Sequence, residues 1–403
     1  MKMPQSYQRW ILGLFGLYDR GAAILMAGRA LQLLNSFGWS VVIIKRFGLS
    51  MIGTFAVGMV AVAILSILSA LGLPSYLPRL KQSHARLCFA GLLLQLSVLP
   101  AVAGILAIYA KVFAHSPAEE RIIFLVALSG SMVGLCNTGL MLSIMVRRFY
   151  PAVAAPVFES AAIVIAGLGT ASAEGIAGYL LVSRIAGALV IWSGMRFSVL
   201  SRLRLAFVLR RSVTYLAPDA IAMLSEQIAP LLLQVMTTRA ELGLFRLCQQ
   251  MLNASDTPGW SYVQSKYPDL VRNHNSFFAS VHWHVVRLSL LASALCVFGS
   301  AVLGLWVYRL PIVIPMMCIL AGSLFWRYKT NLYEQGFRAS GQIAISTVLG
   351  ALKLLVATLV FSLLIYWQGI WGAVLALATV SIAAGVGYEW VYRRPALIGR
   401  VIT

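Results

Sequence analysis

The segment RFGLSMIGTFAVGMVAVAILSILSALGLPSYLPRL, residues 46–80, carries no charged side chain between Arg46 and Arg79. A helix crosses the hydrocarbon core of a bilayer with about 20 mostly apolar residues. This run is long enough to do so, with Gly53 opening the span and Pro78 closing it. Outward from it, the chain holds eleven more such stretches. The twelve spans are 21–43, 51–73, 87–110, 122–146, 151–170, 175–195, 213–237, 241–262, 285–307, 311–326, 342–366 and 370–392. The first, seventh and eighth contain charges and are accepted because the loop charges then alternate.

That alternation fixes an orientation. With the N-terminus inside, cytoplasmic segments hold 21 of the 32 Lys and Arg and the outer loops hold six. An excess of Lys and Arg on cytoplasmic loops is the general rule for helical membrane proteins. The reading is an all-α polytopic protein with both termini in the cytoplasm. Residues 10–18, apolar but short and bracketed by Arg9 and Asp19, suit an interfacial helix better than a cleaved signal.

Composition agrees. Of 403 residues, 60% are hydrophobic and 11% charged, where a soluble domain has about 25% charged residues. A soluble enzyme is excluded. Five cysteines in apolar stretches exclude a secreted disulfide scaffold. The net charge of +20 would suggest nucleic acid in a soluble chain, but here it orients helices and meets anionic lipid headgroups, and no loop is long enough for a nucleic-acid domain. No nucleotide-binding or zinc-ligand spacing occurs, so neither cofactor, metal nor catalytic residue is expected.

The basic loop 196–212 splits the spans six and six, giving an N-terminal lobe, 1–200, and a C-terminal lobe, 201–403. An offset of 190 residues aligns Gly53-Thr54-Phe55 with Gly243-Leu244-Phe245, and Pro78 with Pro268. Repeated halves are common in transporters.

The run 46–80 resembles the first helical hairpin of bacterial polysaccharide-unit flippases, and TTRAELGLFRLCQQMLNAS, 237–255, is similar to that family's eighth helix. The family handles O-antigen and exopolysaccharide units and belongs to the multidrug, oligosaccharidyl-lipid and polysaccharide exporter superfamily. The resemblance implies two six-helix lobes around a central cavity that opens alternately to each side of the bacterial inner membrane. It also implies a substrate, a polyprenyl-pyrophosphate-linked oligosaccharide, and a neighbour, the polysaccharide polymerase machinery.

Charges inside spans are costly in lipid and usually face protein or water. Arg29, Glu159, Arg184, Asp219, Glu226, Arg246, Asp256 and Lys353 are such charges. Arg287 and Glu389 lie close enough to span ends to snorkel. Arg246, Gln249, Asn253 and Asp256 form a polar stripe, and Asp219 and Glu226, seven apart between Pro218 and Pro230, share a face. One reading is a hydrophilic lumen, the other a set of interhelical ion pairs. For a pyrophosphate, arginine offers paired charge-assisted hydrogen bonds. The candidate ligands are therefore Arg29, Arg184, Arg246 and Lys353, with Glu159, Asp219, Glu226, Asn253 and Asp256 as polar or coupling residues. Arginines on the first and eighth helices line the lumen in relatives that carry peptidoglycan precursor, and Arg29 and Arg246 lie on those helices. The 190-residue offset makes Arg29 and Asp219 equivalent, and the expectation is that they pair in one state. Two rivals stand: an ion-coupled small-molecule exporter using Asp219, Glu226 or Glu159, and a polytopic glycan polymerase or transferase. The latter lacks a sizeable outer loop, since 111–121 is short.

Overall fold

In the computed structural model the charge-free run becomes a helix, α2 (Leu49–Ala70), which starts after Gly48 at φ +84° and ends where Leu71 and Gly72 turn left-handed. Gly48 and Gly72 fit there because they carry no Cβ to oppose positive φ. The structure describes residues 20–77, 80, 83–146, 148–169, 172–199, 202–272 and 274–394. The interfacial helix expected at 10–18 lies outside them. Around α2 the chain forms α1 (Arg20–Phe47), α3 (His84–Phe113), α4 (Pro117–Met145), α5 (Pro151–Leu168), α6 (Ala173–Ser193), α7 (Arg202–Met236), α8 (Arg239–Arg272), α9 (His274–Val302) and α10 (Val313–Ala339). One last helical stretch, Ile343–Tyr392, is broken at Gly369, where φ 56° and ψ −130° leave the helix; its arms are α11 (343–368) and α12 (370–392). Each expected span thus has its helix, and the described residues contain no strand.

Among the described residues, seven helical stretches are long and apolar enough to cross a membrane, the last of them, Ala344–Tyr392, covering both α11 and α12. The exceptions are α1, α7, α8 and α10, each of which carries four or more Asp, Glu, Lys or Arg residues. On the apolar helices large side chains point outward. Val348, Leu352, Leu355, Leu359 and Leu363 of α11 repeat at i, i+4, i+7, i+11 and i+15 and are all exposed. In water such a stripe would cost about 25 cal/mol per Å² of apolar surface; in a bilayer it is the solvated face.

Several helices outrun their expected spans. The α10 helix continues from 326 to Ala339, carrying Arg327, Lys329 and Arg338 on a helix instead of in a loop. The α7 helix begins at Arg202, inside the basic segment 196–212 read as loop. Capping explains several starts. Ser116 accepts from the Glu119 amide at α4, Ser172 from the Gly175 amide at α6, and Thr238 and Glu241 cap each other's amides at α8.

The chain divides into two compact units, residues 28–243 and residues 244–403 with the beginning of the chain. In the first, α2 lies along α4 in the same direction, as two even-numbered spans must. Glycines allow the approach: a Cβ on Gly130 would come within 2.5 Å of Val62 Cα, and one on Gly134 within 2.6 Å of the Ser66 carbonyl. Small residues at helix crossings are the usual means of close packing in membranes. Gln95 of α3 ties into the same layer through Thr138 Oγ1 at 2.7 Å. In the second unit α10 is central, with Met316, Leu320, Leu324, Leu332 and Phe337 fully buried. Gly259 of α8 leaves room for the Tyr328 ring, whose hydroxyl donates to the Ser255 carbonyl at 2.6 Å.

Candidate functional site

In the first unit α1 packs on α5 because Gly28 lets its backbone meet Ala152, where a Cβ would collide with the carbonyl. One helical face further on, Asn35 Nδ2 donates to the Pro156 carbonyl at 2.7 Å. Pro156 has no N–H, which leaves the Ala152 carbonyl one turn back without its helical donor, while the Pro156 carbonyl is shared, accepting also from Ser160 Oγ at 3.3 Å. Ser160 Oγ in turn donates to Asn35 Oδ1 at 2.7 Å. The next contact is charged: Trp39 Nε1 donates to Glu159 Oε1 at 3.1 Å. Arg184 of α6 approaches the same carboxylate, Nη2 to Oε1 3.9 Å, and its Nη1 donates to Ser129 Oγ of α4 at 2.8 Å. Both charged side chains are mostly shielded, 15% and 17% exposed. Four helices thus converge on one carboxylate–guanidinium pair.

The second unit has its own pair. Asp256 of α8 faces Arg327 of α10, Nη2 to Oδ2 3.2 Å, and Asn331 Nδ2 lies 3.3 Å from both carboxylate oxygens. The same Arg327 Nη2 reaches Asn253 Oδ1 at 3.2 Å. Arg327 and Asn331 are one turn apart, as are Asn253 and Asp256, so two polar helix faces meet. A second pair lies on the far side of α10: Lys329 Nζ is 2.7 Å from Glu389 Oε2 of α12, and the ammonium lies 4.8 Å from the centre of the Phe325 ring. Glu389 also accepts from Arg393. It is a bridged side chain and not one that merely snorkels.

The expected site residues therefore divide. Glu159 and Arg184 are brought together, as are Asn253 and Asp256, with Arg327 as their common partner. Arg246 is half-buried on α8, and its Nη1 donates to Gln249 Oε1 at 2.7 Å. Arg29 is half-buried on α1, while Glu226 on α7 is exposed. Lys353 is half-buried on α11 and has no ion pair or hydrogen bond among the described residues. The Asp219 side chain lies outside the described residues, so the Arg29–Asp219 pairing does too. Sequence reasoning missed Arg327, Asn331, Trp39 and Ser129. Arg327 lies just past the apolar span that ends at 326, and the signal that marks it is its i, i+4 spacing from Asn331. Among the described residues no cluster of His, Cys, Asp and Glu is arranged to hold a metal ion.

A fourth shielded pair closes an end of the first unit. Arg239, at the start of α8, has its Nε 3.1 Å from Glu119 Oε1 of α4 and donates from Nη2 to the Phe113 carbonyl at 2.6 Å; Thr54 Oγ1 of α2 reaches the same carboxylate oxygen at 2.9 Å.

No protein-family model matches the chain, and no curated protein matches it. Solved structures do. An outward-facing multidrug resistance MATE family transporter of the MOP superfamily superposes with a TM-score of 0.69 over 94% of this chain and 95% of that one, at 16% identity. An inward-facing form of such a transporter gives 0.67 over 94% and 96%, at 13% identity. A MOP superfamily transporter from Pyrococcus furiosus, described as having a binding pocket of reversed polarity that suggests a different function, gives 0.69 over 94% and 95%, at 14% identity. The chain has the twelve-helix fold of these transporters and is a multi-pass membrane protein.

Proposed function

We propose that this chain is a flippase that carries polyprenyl-pyrophosphate-linked oligosaccharide units across the bacterial cytoplasmic membrane for surface polysaccharide assembly. The carrying observation is that the two shielded carboxylates of the sequence-predicted site, Glu159 and Asp256, each have an arginine built against them. A cationic substrate would have to compete with Arg184 or Arg327 for those carboxylates. An anionic headgroup meets helices whose remaining candidate ligands, Arg29, Arg246 and Lys353, are cations. Arginine matches a pyrophosphate well because its planar fork bonds two oxygens at once. The inward- and outward-facing forms of the structural neighbours support alternating access as the means of movement.

The neighbours' description as multidrug resistance transporters supports a second reading, an ion-coupled exporter of small molecules with Glu159, Asp219 or Glu226 as coupling sites. The two readings part in a strain lacking the protein. Under the flippase reading lipid-linked units are still assembled in isolated membranes but accumulate on the cytoplasmic face, unavailable to the polymerase. Normal surface polysaccharide with heightened drug sensitivity favours the exporter, and loss of unit assembly itself favours a glycan-building enzyme.

A further inference from the structure

The first unit contains a cavity of about 370 Å³ that the charge pairs above do not touch. It lies where the start of α3, the end of α4 and the end of α6 meet. His84, Ser143, Arg148, Tyr150, Gly194 and Arg196 line it. Arg148 and Arg196 are exposed at its rim. Arg148 is fixed there by one bond, Nη1 to the Gly194 carbonyl at 2.7 Å, which uses one of the five N–H donors of its guanidinium. His84 is anchored through Nε2 to the Leu142 carbonyl at 2.9 Å. Ser83 makes no side-chain cap at the start of α3, so the positive end of that helix also faces this region.

None of the residues that line the cavity is acidic. The sequence has no Asp or Glu from 20 to 118, from 121 to 158, or from 175 to 218, and Glu119, Glu120, Glu159 and Glu174 belong to other parts of their helices. The cavity is therefore built for an anion. Beside it are large apolar side chains left exposed: Met145, Val146, Phe197 and Val199. Val146 lines the cavity itself. A cationic cup adjoining exposed apolar surface fits a molecule with a phosphate head and hydrocarbon tails.

We propose that this cavity binds the phosphate headgroup of an anionic phospholipid, with the acyl chains along Met145, Val146 and Phe197. The charge tally assigns this end of the helices to the cytoplasm, where the leaflet is rich in anionic lipid and basic pockets between membrane helices bind such headgroups. The site is separate from the one proposed for the transported unit, and its occupancy is read without any transport assay.

The test uses the full chain, purified and stripped of lipid in detergent, with short-chain phosphatidylglycerol, short-chain phosphatidylcholine and inorganic phosphate as probes. Native mass spectrometry reads bound lipid. The expected result is retention of phosphatidylglycerol over phosphatidylcholine, with apparent affinity for the anionic lipid falling about tenfold in Arg148→Gln/Arg196→Gln. Arg148→Lys, which keeps the charge, should lose much less. Arg196→Gln alone disturbs no bond described here and should lower anionic binding severalfold at an unchanged lipid-free melting temperature. Equal binding of the two lipids, or anionic binding indifferent to Arg196→Gln, overturns the proposal. So does displacement by inorganic phosphate at matched concentration, which would mark a site for soluble anions.

Discussion

Gly53 and Gly243 stand against each other at the crossing of α2 and α8: a Cβ on Gly243 would lie 3.0 Å from the Gly53 amide nitrogen and 2.6 Å from the Leu49 carbonyl. A Cβ on Gly53 would collide with the Arg239 carbonyl. These are the two glycines that the 190-residue offset matches, so the repeat visible in the sequence corresponds to a contact in the fold. Arg239 fastens the crossing from the other side through Glu119 and Phe113.

At this crossing Gly53→Ala should force the two helix backbones apart. Overpacking of this kind costs roughly 1–3 kcal/mol. The measurable outcome is a lower melting temperature in detergent and lower yield. Gly178→Ala, where no atom lies within 4 Å of the added methyl group, is the control and should leave both unchanged or slightly raised.

The Glu159–Arg184 pair predicts a non-additive cycle. Removing one member leaves a shielded charge uncompensated, at a cost of about 3–5 kcal/mol. Glu159→Gln and Arg184→Gln should each destabilise, and the double variant should recover much of the loss. Additive losses in thermal unfolding would show that the two side chains, at 3.9 Å, do not depend on each other.

Arg29 is predicted to matter for transport more than for folding. Arg29→Ala should insert at normal levels and abolish export of lipid-linked units, while Arg29→Lys keeps part of the activity because the charge remains without the fork. Export at the normal rate by Arg29→Ala would move the search for the pyrophosphate ligand to Arg246 or Lys353.

The helices were legible where hydrophobicity alone forms them. The run between Arg46 and Arg79 gave α2, and the break at Gly369 falls in the gap left between the spans 342–366 and 370–392. Where helices are polar, the apolar criterion stopped short. It ended the tenth span at 326 and left Arg327 and Lys329 as loop charges, although α10 runs on to Ala339. A polar stretch is helical there because α8, α9 and α12 cover it, and no local signal encodes that cover. For the same reason Glu159 and Asp256 could be singled out as intramembrane charges while the partner of Asp256 could not. Spacing along one helix says which residues share a face; it does not say which helix lies opposite.

Orientation rests on the charge tally and is open to direct test. Reporter domains inserted at Ser116, between α3 and α4, and at Gly341, between α10 and α11, should be active in opposite compartments, with Gly341 cytoplasmic. The same compartment for both would mean that an odd number of crossings has been miscounted between them.

The central claim is that the cargo is an anionic lipid-linked glycan. Purified protein in liposomes carrying a polyprenyl-pyrophosphate oligosaccharide tests it, with a membrane-impermeant glycosidase outside. The account predicts that the inner-leaflet half of the glycan becomes digestible at a rate that rises with protein and falls with Arg29→Ala, and that a cationic dye such as ethidium stays where it was loaded. Dye movement driven by a proton or sodium gradient, with the inner glycan still protected, would contradict it and make the chain a small-molecule exporter.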